Sequence, residues 1–238
     1  ASDVYKRQYE CYQLSQGYGF TRGVGLLVDK EGNDRYTAND TDIRFPSAQS
    51  KEHNSSLSQG FGFGRRSDIF TGHSWAGGVG MLFDGAGDDR YSCGIFGQGA
   101  GYWYGTGILA DYSGADTMHG IWYVQSGTAH YGTSFLMNRG FENDSYECTM
   151  NVSQGGGHDF SNSFFLEEGG DDVYTSPGIS LGAGNECGTG VFVDYNGNDT
   201  YNNTRGNAMG HGKTSGAGRP RGSWGMFFDL GGTESYTS

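Results

Sequence analysis

The stretch VGLLVDKEGNDRY, residues 24–36, returns as VGMLFDGAGDDRY at residues 79–91 and as TGVFVDYNGNDTY at residues 189–201. Each copy joins a short apolar run to a turn rich in Gly, Asp and Asn, and each sets two carboxylates five residues apart. Three anchors of this phrase recur: a Gln, a small residue and a closing aromatic. The closing position reads Tyr36, Tyr91, Met118, Tyr146, Tyr174, Tyr201 and Tyr236, with one more copy at Tyr9. The small residue is Gly25, Gly80, Gly107, Ser134, Ser163, Gly190 and Gly225; the Gln position reads Gln16, Gln59, Gln98, Gln125, Gln154, Leu181 and Met209.

From Gln98 to Gly107 is nine residues, from Gly107 to Met118 eleven, and from Met118 to Gln125 seven, so the unit is 27 residues. A fixed period of this size marks a repeat architecture. The interval from Tyr36 to Tyr91 is 55, but its excess lies in two places, 16 residues before Gln59 and 12 before Gly80. It is one unit carrying two insertions. A third, of seven residues, precedes Gly225. The chain therefore reads as seven units with loops at about 39–57, 64–77 and 212–223.

No segment sustains a 3.6-residue apolar period between helix caps, so helical repeats are not expected. Short apolar or Gly-rich runs separated by turns fit an all-β fold, a single parallel β-solenoid in which each unit is one three-sided coil. Successive coils then lie about 4.8 Å apart and equivalent residues form columns.

Alternation along a strand places the Leu26 and Val28 columns together in the interior. It turns the equally apolar Leu27 column (Leu82, Leu109, Leu136, Phe165, Phe192, Phe227) outward as a strip open to self-association or a covering layer. In the closing strand, Asp34, Tyr36 and Ala38 should face inward. Cys11, Cys93 and Cys148 share one column on alternate coils, about 9.6 Å apart, which is too far for a disulfide, so buried free thiols are expected. The five glutamines should bond amide to amide.

Composition narrows the function classes. Gly supplies 45 of 238 residues, Pro only 3 and aromatics 15%, with a net charge of −12. The many aromatic residues oppose disorder. The acidity disfavours nucleic acid and anionic membranes as partners and favours cations or basic surfaces. No apolar run reaches the length of a membrane helix.

The carboxylate pairs are Asp29/Asp34, Asp84/Asp89, Asp111/Asp116, Asn138/Asp144, Glu167/Asp172, Asp194/Asp199 and Asp229/Glu234. Stacked about 5 Å apart, each neighbouring pair repels by about 3 kcal/mol at an effective dielectric near 20, so something must offset it. One answer is Ca²⁺, a hard cation that takes several oxygens from flexible turns. The other is that Asp and Asn simply bond their own turn backbone. The expected ligands are Asp29, Asp34, Asp84, Asp89, Asp111, Asp116, Glu167, Asp172, Asp194 and Asp199. Asn138, with its extra residue before Asp144, should make the weakest turn.

The segments GAGDDRY (residues 85–91) and YNGNDTY (195–201) resemble the turns of RTX-type calcium-binding β-rolls, and the Gly- and Asp-rich repeat as a whole resembles bacterial β-solenoid proteins. The resemblance implies Ca²⁺ held between successive turns by Asp side chains and turn carbonyls. It covers only the turn of each unit and departs in period, in the first Gly and in Tyr replacing Leu.

Seven of the fifteen basic residues sit in the loops: Arg44, Lys51, Arg65, Arg66, Lys213, Arg219 and Arg221. The first two loops flank Gln59 and should lie together, with Arg65, Arg66, His73 and Trp75 as candidate contacts to a glycan or an acidic protein. No nucleophile elbow, HExxH, CxxC or phosphate loop is present, and no catalytic residue is assigned. His130 and Asp159 share a column as a candidate acid–base pair.

Residues 1–8 resemble translated sequencing adapter of the kind met in metagenomic gene predictions, and residues 9–238 read as one repeat domain, a fragment of a longer protein. These features favour a non-enzymatic, secreted or cell-envelope bacterial module, structural, adhesin-like or carbohydrate-binding and calcium-stabilised. The alternative is a carbohydrate-active β-helix enzyme. A flat ice-binding ladder is disfavoured by the mixed column Thr37, Ser92, His119, Glu147, Thr175, Asn202 and Thr237.

Overall fold

A computed structural model of the chain describes residues 6–67, 72–213 and 221–237. Among these residues all regular elements are β-strands, and every ladder between them is parallel. Each coil passes through three sheets. In coil 3 the strands are Gly101–Tyr102, Thr106–Asp111 and Thr117–Gly120. The sheets hold six, seven and eight strands; we term them the glycine, aliphatic and tyrosine sheets. The eighth strand of the tyrosine sheet is Gln8–Cys11, which pairs with Arg35–Ala38 of coil 1. The register is the one the repeat dictates: Leu27, Leu82, Leu109, Leu136, Phe165, Phe192 and Phe227 are successive partners. Of the leader read over residues 1–8, residues 1–5 lie outside the described part, whereas Arg7 and Gln8 are engaged with coil 1.

The interior of the aliphatic sheet is the reverse of the expected one. The Leu27 column points inward, with Leu82, Leu109, Leu136, Phe165 and Phe192 at 0% exposure. The flanking columns point out, Leu26 at 56% and Val28 at 63%. Strand parity is set by the residues at the ends of the run. The small residue must face inward because the backbone of the preceding corner presses on it: a Cβ at Gly107 would lie 1.9 Å from the Ala100 carbonyl oxygen. Asp111, at the other end of the same strand, is also fully buried. Residues 107, 109 and 111 therefore share the inner face. The outward apolar surface is two columns wide.

The tyrosine sheet follows expectation, with Tyr36, Tyr91, Tyr146, Tyr174 and Tyr201 buried. Their rings stack in parallel at 4.7 Å for Tyr36–Tyr91 and 5.0 Å for Tyr174–Tyr201, close to the coil spacing. All four cysteines are free; Cys93 and Cys148 are buried, and Ala38 and Val124 join their cluster.

The Gln column forms the third corner. All seven of its residues are left-handed, from φ 43° at Gln154 to φ 55° at Gln59. The amides do not form the expected ladder. Gln59 Nε2 donates to the Tyr36 and Ser92 carbonyls at 2.8 and 2.9 Å, and Gln125 Nε2 to those of Met118 and Glu147 at 3.1 and 2.9 Å. Each amide thus braces two coils through the main chain, and the one amide–amide bond described is Gln154 to Gln125. Backbone carbonyls at a buried corner need donors, and this need outcompetes pairing between side chains.

The first loop folds over the glycine sheet. Asn54, fully buried, accepts from the Arg44 and Phe45 amides and donates to the Asn39 and Asp42 carbonyls. Beneath it, Leu57, Phe61, Phe63, Phe96 and Tyr102 form a second hydrophobic cluster.

Candidate metal centre

The carboxylates leave the end of each aliphatic strand and re-enter at the start of the tyrosine strand, so both columns line the same corner. The turn between them is tight. Gly87 has φ +145°, and a Cβ there would lie 1.5 Å from the Gly32 carbonyl oxygen of the coil before it. The corner is buried: the second column faces inward as Asp34 was expected to, and the first column joins it because the aliphatic strand has the opposite parity to the expected one. Asp84, Asp89, Asp111 and Asp194 are 0% exposed, and the other acids of coils 1 to 6 in this row are nearly as buried. The Tyr and aliphatic columns on either side draw the acids inward with them.

The oxygens divide their work. In the first column, one oxygen caps its own turn: Asp84 Oδ1 accepts from the Ala86 amide at 3.1 Å, and Asp111 Oδ1 from that of Ser113 at 3.3 Å. The other oxygen accepts a tyrosine hydroxyl from the coil before. Tyr91 donates to Asp111 at 2.6 Å and Tyr174 to Asp194 at 2.6 Å; Tyr36–Asp84 and Tyr146–Glu167 repeat the bond.

In the second column, Oδ1 accepts the amide of its counterpart one coil earlier. The chain of bonds runs Asp34 N–H to Asp89 (2.5 Å), Asp89 to Asp116 (2.8 Å), Asp116 to Asp144 (2.6 Å), Asp144 to Asp172 (2.7 Å) and Asp172 to Asp199 (2.8 Å). The second oxygens differ: Asp172 Oδ2 accepts from the Tyr174 hydroxyl at 3.2 Å, and those of Asp116 and Asp144 accept from Asn138 Nδ2. Oδ2 of Asp34, Asp89 and Asp199 is buried with no hydrogen-bond partner. Turn chemistry therefore accounts for the first column and half of the second, and leaves the buried Oδ2 atoms of Asp89 and Asp199 unsatisfied. A buried polar atom without a partner costs about 1–3 kcal/mol, more when charged.

Burial dominates the electrostatics. It raises the Asp89 carboxyl to about 9, with Asp84 and Asp111 adding to the effect. It raises Asp116 to about 11, with Asp111 the next contributor, and Asp144 to about 8, with Asp172 contributing. Asp172, Asp194 and Asp199 rise to about 7 through the same desolvation and their acidic neighbours. At Asp29 burial is outweighed by the Tyr9 hydroxyl, the turn amide and Arg7, and the carboxyl falls below its ordinary value. Arg7 Nη1 lies 2.8 Å from Asp29 and 3.5 Å from Asp34.

Five triads place carboxylate oxygens within 4.8 Å of one another: Asp29/Asp34/Asp84, Asp84/Asp89/Asp111, Asp144/Glu167/Asp172, Asp172/Asp194/Asp199 and Asp199/Asp229/Glu234. Ca²⁺ takes oxygens at 2.3–2.6 Å, so two ligands of one ion lie within about 5 Å of each other. Oxygen-only donors, a buried cluster of acidic groups and unpartnered atoms at this spacing fit that class of ion. Of the expected ligands, all but Asp116 enter a triad among the described residues. Asp144, Asp229 and Glu234 join in their place, at the same repeat positions as the residues that were singled out.

The expected loop site does not converge in the same way. Arg65 and Trp75 pair main chain to main chain, and the guanidinium lies 5.4 Å from the Trp75 ring. Arg66 turns away to His130 Nε2 at 2.8 Å, and His73 is exposed. Trp75 and Phe20 line a groove of about 640 Å³ beside Arg22, and Phe20 continues into a second groove under Phe45 and Pro46. Each of the first two loops lines one of these grooves, and Phe20 borders both. Arg219 lies outside the described residues.

His130 Nε2 accepts a hydrogen bond from the Arg66 guanidinium, and its Nδ1 bonds Asp159. Both ring nitrogens are engaged, and burial with the nearby Arg66 lowers its pKa to about 4. The imidazole is neutral and held as a structural bridge.

Comparison with protein families, with curated proteins and with solved structures finds no match for this chain.

Proposed function

We propose that this chain is a non-enzymatic structural module, a β-solenoid of the bacterial cell exterior whose inner carboxylate row takes up divalent cations, with Ca²⁺ the fitting ion. The observation that carries the reading is the pair of buried, unpartnered carboxylate oxygens on Asp89 and Asp199, each within an acidic triad. A bound cation supplies the positive charge that the side chains around these atoms lack. The chain's own part is to hold the oxygens at fixed spacing: the Tyr hydroxyls and turn amides orient the first column, and the amide chain from Asp34 to Asp199 orients the second.

Calorimetric titration with Ca²⁺, with thermal melts in calcium and in chelator, tests the reading. Heat of binding and a melt raised in calcium are expected. No heat and identical melts would reject it.

A second role, glycan or acidic-protein docking at the loops, draws support from the aromatic groove between Phe20 and Trp75 with Arg65 stacked beside it. Glycan-array binding that survives Trp75→Ala unchanged would remove that support.

A further inference from the structure

The acidic row is broken once. In coil 4 the first-column position is Asn138, 1% exposed. Its Nδ2 donates to Asp144 Oδ2 at 2.9 Å and to the Tyr146 hydroxyl at 2.7 Å, with Asp116 Oδ2 at 3.4 Å. These two Oδ2 atoms are equivalent to the ones left without partners at Asp89 and Asp199. The break also has a matching half in the neighbouring coil. Elsewhere the closing Tyr of one coil donates to the first-column carboxylate of the next: Tyr9 to Asp29, Tyr91 to Asp111, Tyr174 to Asp194. The Tyr that would face position 138 is Met118. The carboxylate acceptor and its hydroxyl donor are replaced together. With Met118 in place of that Tyr, the Asn138 Oδ1 is left buried without a donor, while its Nδ2 is committed to Asp144 and Tyr146, with Asp116 at the longer distance.

The triads divide at this point. Two precede it, ending at Asp111, and three follow it, beginning at Asp144; among the described residues none spans the step between coils 3 and 4. We infer that the Asn138 amide stands where the other steps of the row take a cation, closing one site and dividing the row into two independently loaded segments, Asp29 to Asp111 and Asp144 to Glu234. This inference rests on the cation reading above. The buried, unpartnered oxygens of Asp89 and Asp199, one in each segment, are the independent sign that both segments take a ligand.

The test counts calcium bound to the full chain by equilibrium dialysis with elemental analysis, for the wild type, Asn138→Asp, and Asn138→Asp combined with Met118→Tyr. The double variant restores both halves of the repeat and guards against misfolding of the single one. Wild type is expected to hold one ion per triad, about five in all, and the variants one more. Asp89→Asn should lose uptake in the first segment and leave the second with its wild-type affinity. Equal uptake by wild type and the folded variants overturns the division while leaving the cation reading in place. No uptake by wild type overturns the cation reading itself. Failure of both Asn138 variants to fold in saturating calcium also counts against the inference, because a loaded carboxylate at this position should be tolerated.

Discussion

Truncating neighbours on one strand separates the two faces of the aliphatic sheet. Leu109 is 0% exposed and sits between Leu82 and Leu136 in the inner column, in the cluster that includes Tyr91 and Met118. Ile108, beside it, is half-buried on the outer face between Met81 and Phe135. Leu→Ala in a core costs about 2–5 kcal/mol, depending on how far the surroundings can close over the gap. Here the coil spacing is fixed by three parallel ladders, so the column cannot collapse, and Leu109→Ala should fall in the upper half, at about 3–5 kcal/mol. Ile108→Ala removes side-chain area that is already partly wet and should cost about 1 kcal/mol. Urea denaturation followed by circular dichroism, at fixed calcium and with slopes compared, reads the difference as a clearly separated pair of midpoints. Equal losses, or a larger loss at Ile108, would refute the assignment of faces and with it the account of why Gly107 and Asp111 point inward.

Other consequences can be checked separately. In chelator, the raised carboxyls make the folded chain hold more protons than the unfolded one. Stability should then be greatest near the ordinary carboxylate range and fall as pH rises through about 6 at Asp111 toward about 9 at Asp89; melts at pH 5 and pH 8 show the sign, and saturating calcium should flatten the slope with release of protons. Asp89→Asn, which removes a buried acid of the second column, should raise the melting temperature in chelator and shrink the gain on adding calcium. Gly87→Ala, with its Cβ 1.5 Å from a backbone oxygen, should destabilise by several kcal/mol (about 3 or more), whereas Gly206→Ala, which meets nothing within 4 Å, should be nearly neutral by chemical denaturation. The His130 imidazole should titrate near 4 by NMR, not near its ordinary value of about 6.5; its share of stability is full above the ordinary value and is lost as pH falls toward 4.

The columns were legible because a 27-residue period leaves little freedom: once Tyr36 stands over Tyr91, every other partner follows. Parity was not legible from hydrophobicity, since residues 26, 27 and 28 are all apolar. The deciding signal was at the ends of the run, where Gly25 and Asp29 share the parity of Leu27. The inward turn of Asp34 and its column follows from the parity of Tyr36, whereas that of Asp29 and its column hangs on the reversed parity of the aliphatic strand; the Tyr hydroxyls and the amide chain that allow their burial come from neighbouring coils and are invisible along one unit. The Gln amides failed the ladder expectation for a related reason, as their partners are main-chain carbonyls that no sequence pattern marks. Asn138 was readable as a departure from the repeat, whereas its pairing with Met118 emerged only from which coil each Tyr reaches.

The backbone ladders have a mechanical corollary. Each coil is held by bonds to the coils directly above and below it, and few contacts skip a level. Tension applied between the two ends should peel the chain one winding at a time, and each 27-residue winding should lengthen the freed thread by about 90 Å. A force–extension trace of this protein would then be a staircase, with the tallest risers where the insertions between Tyr36 and Gly80 come loose.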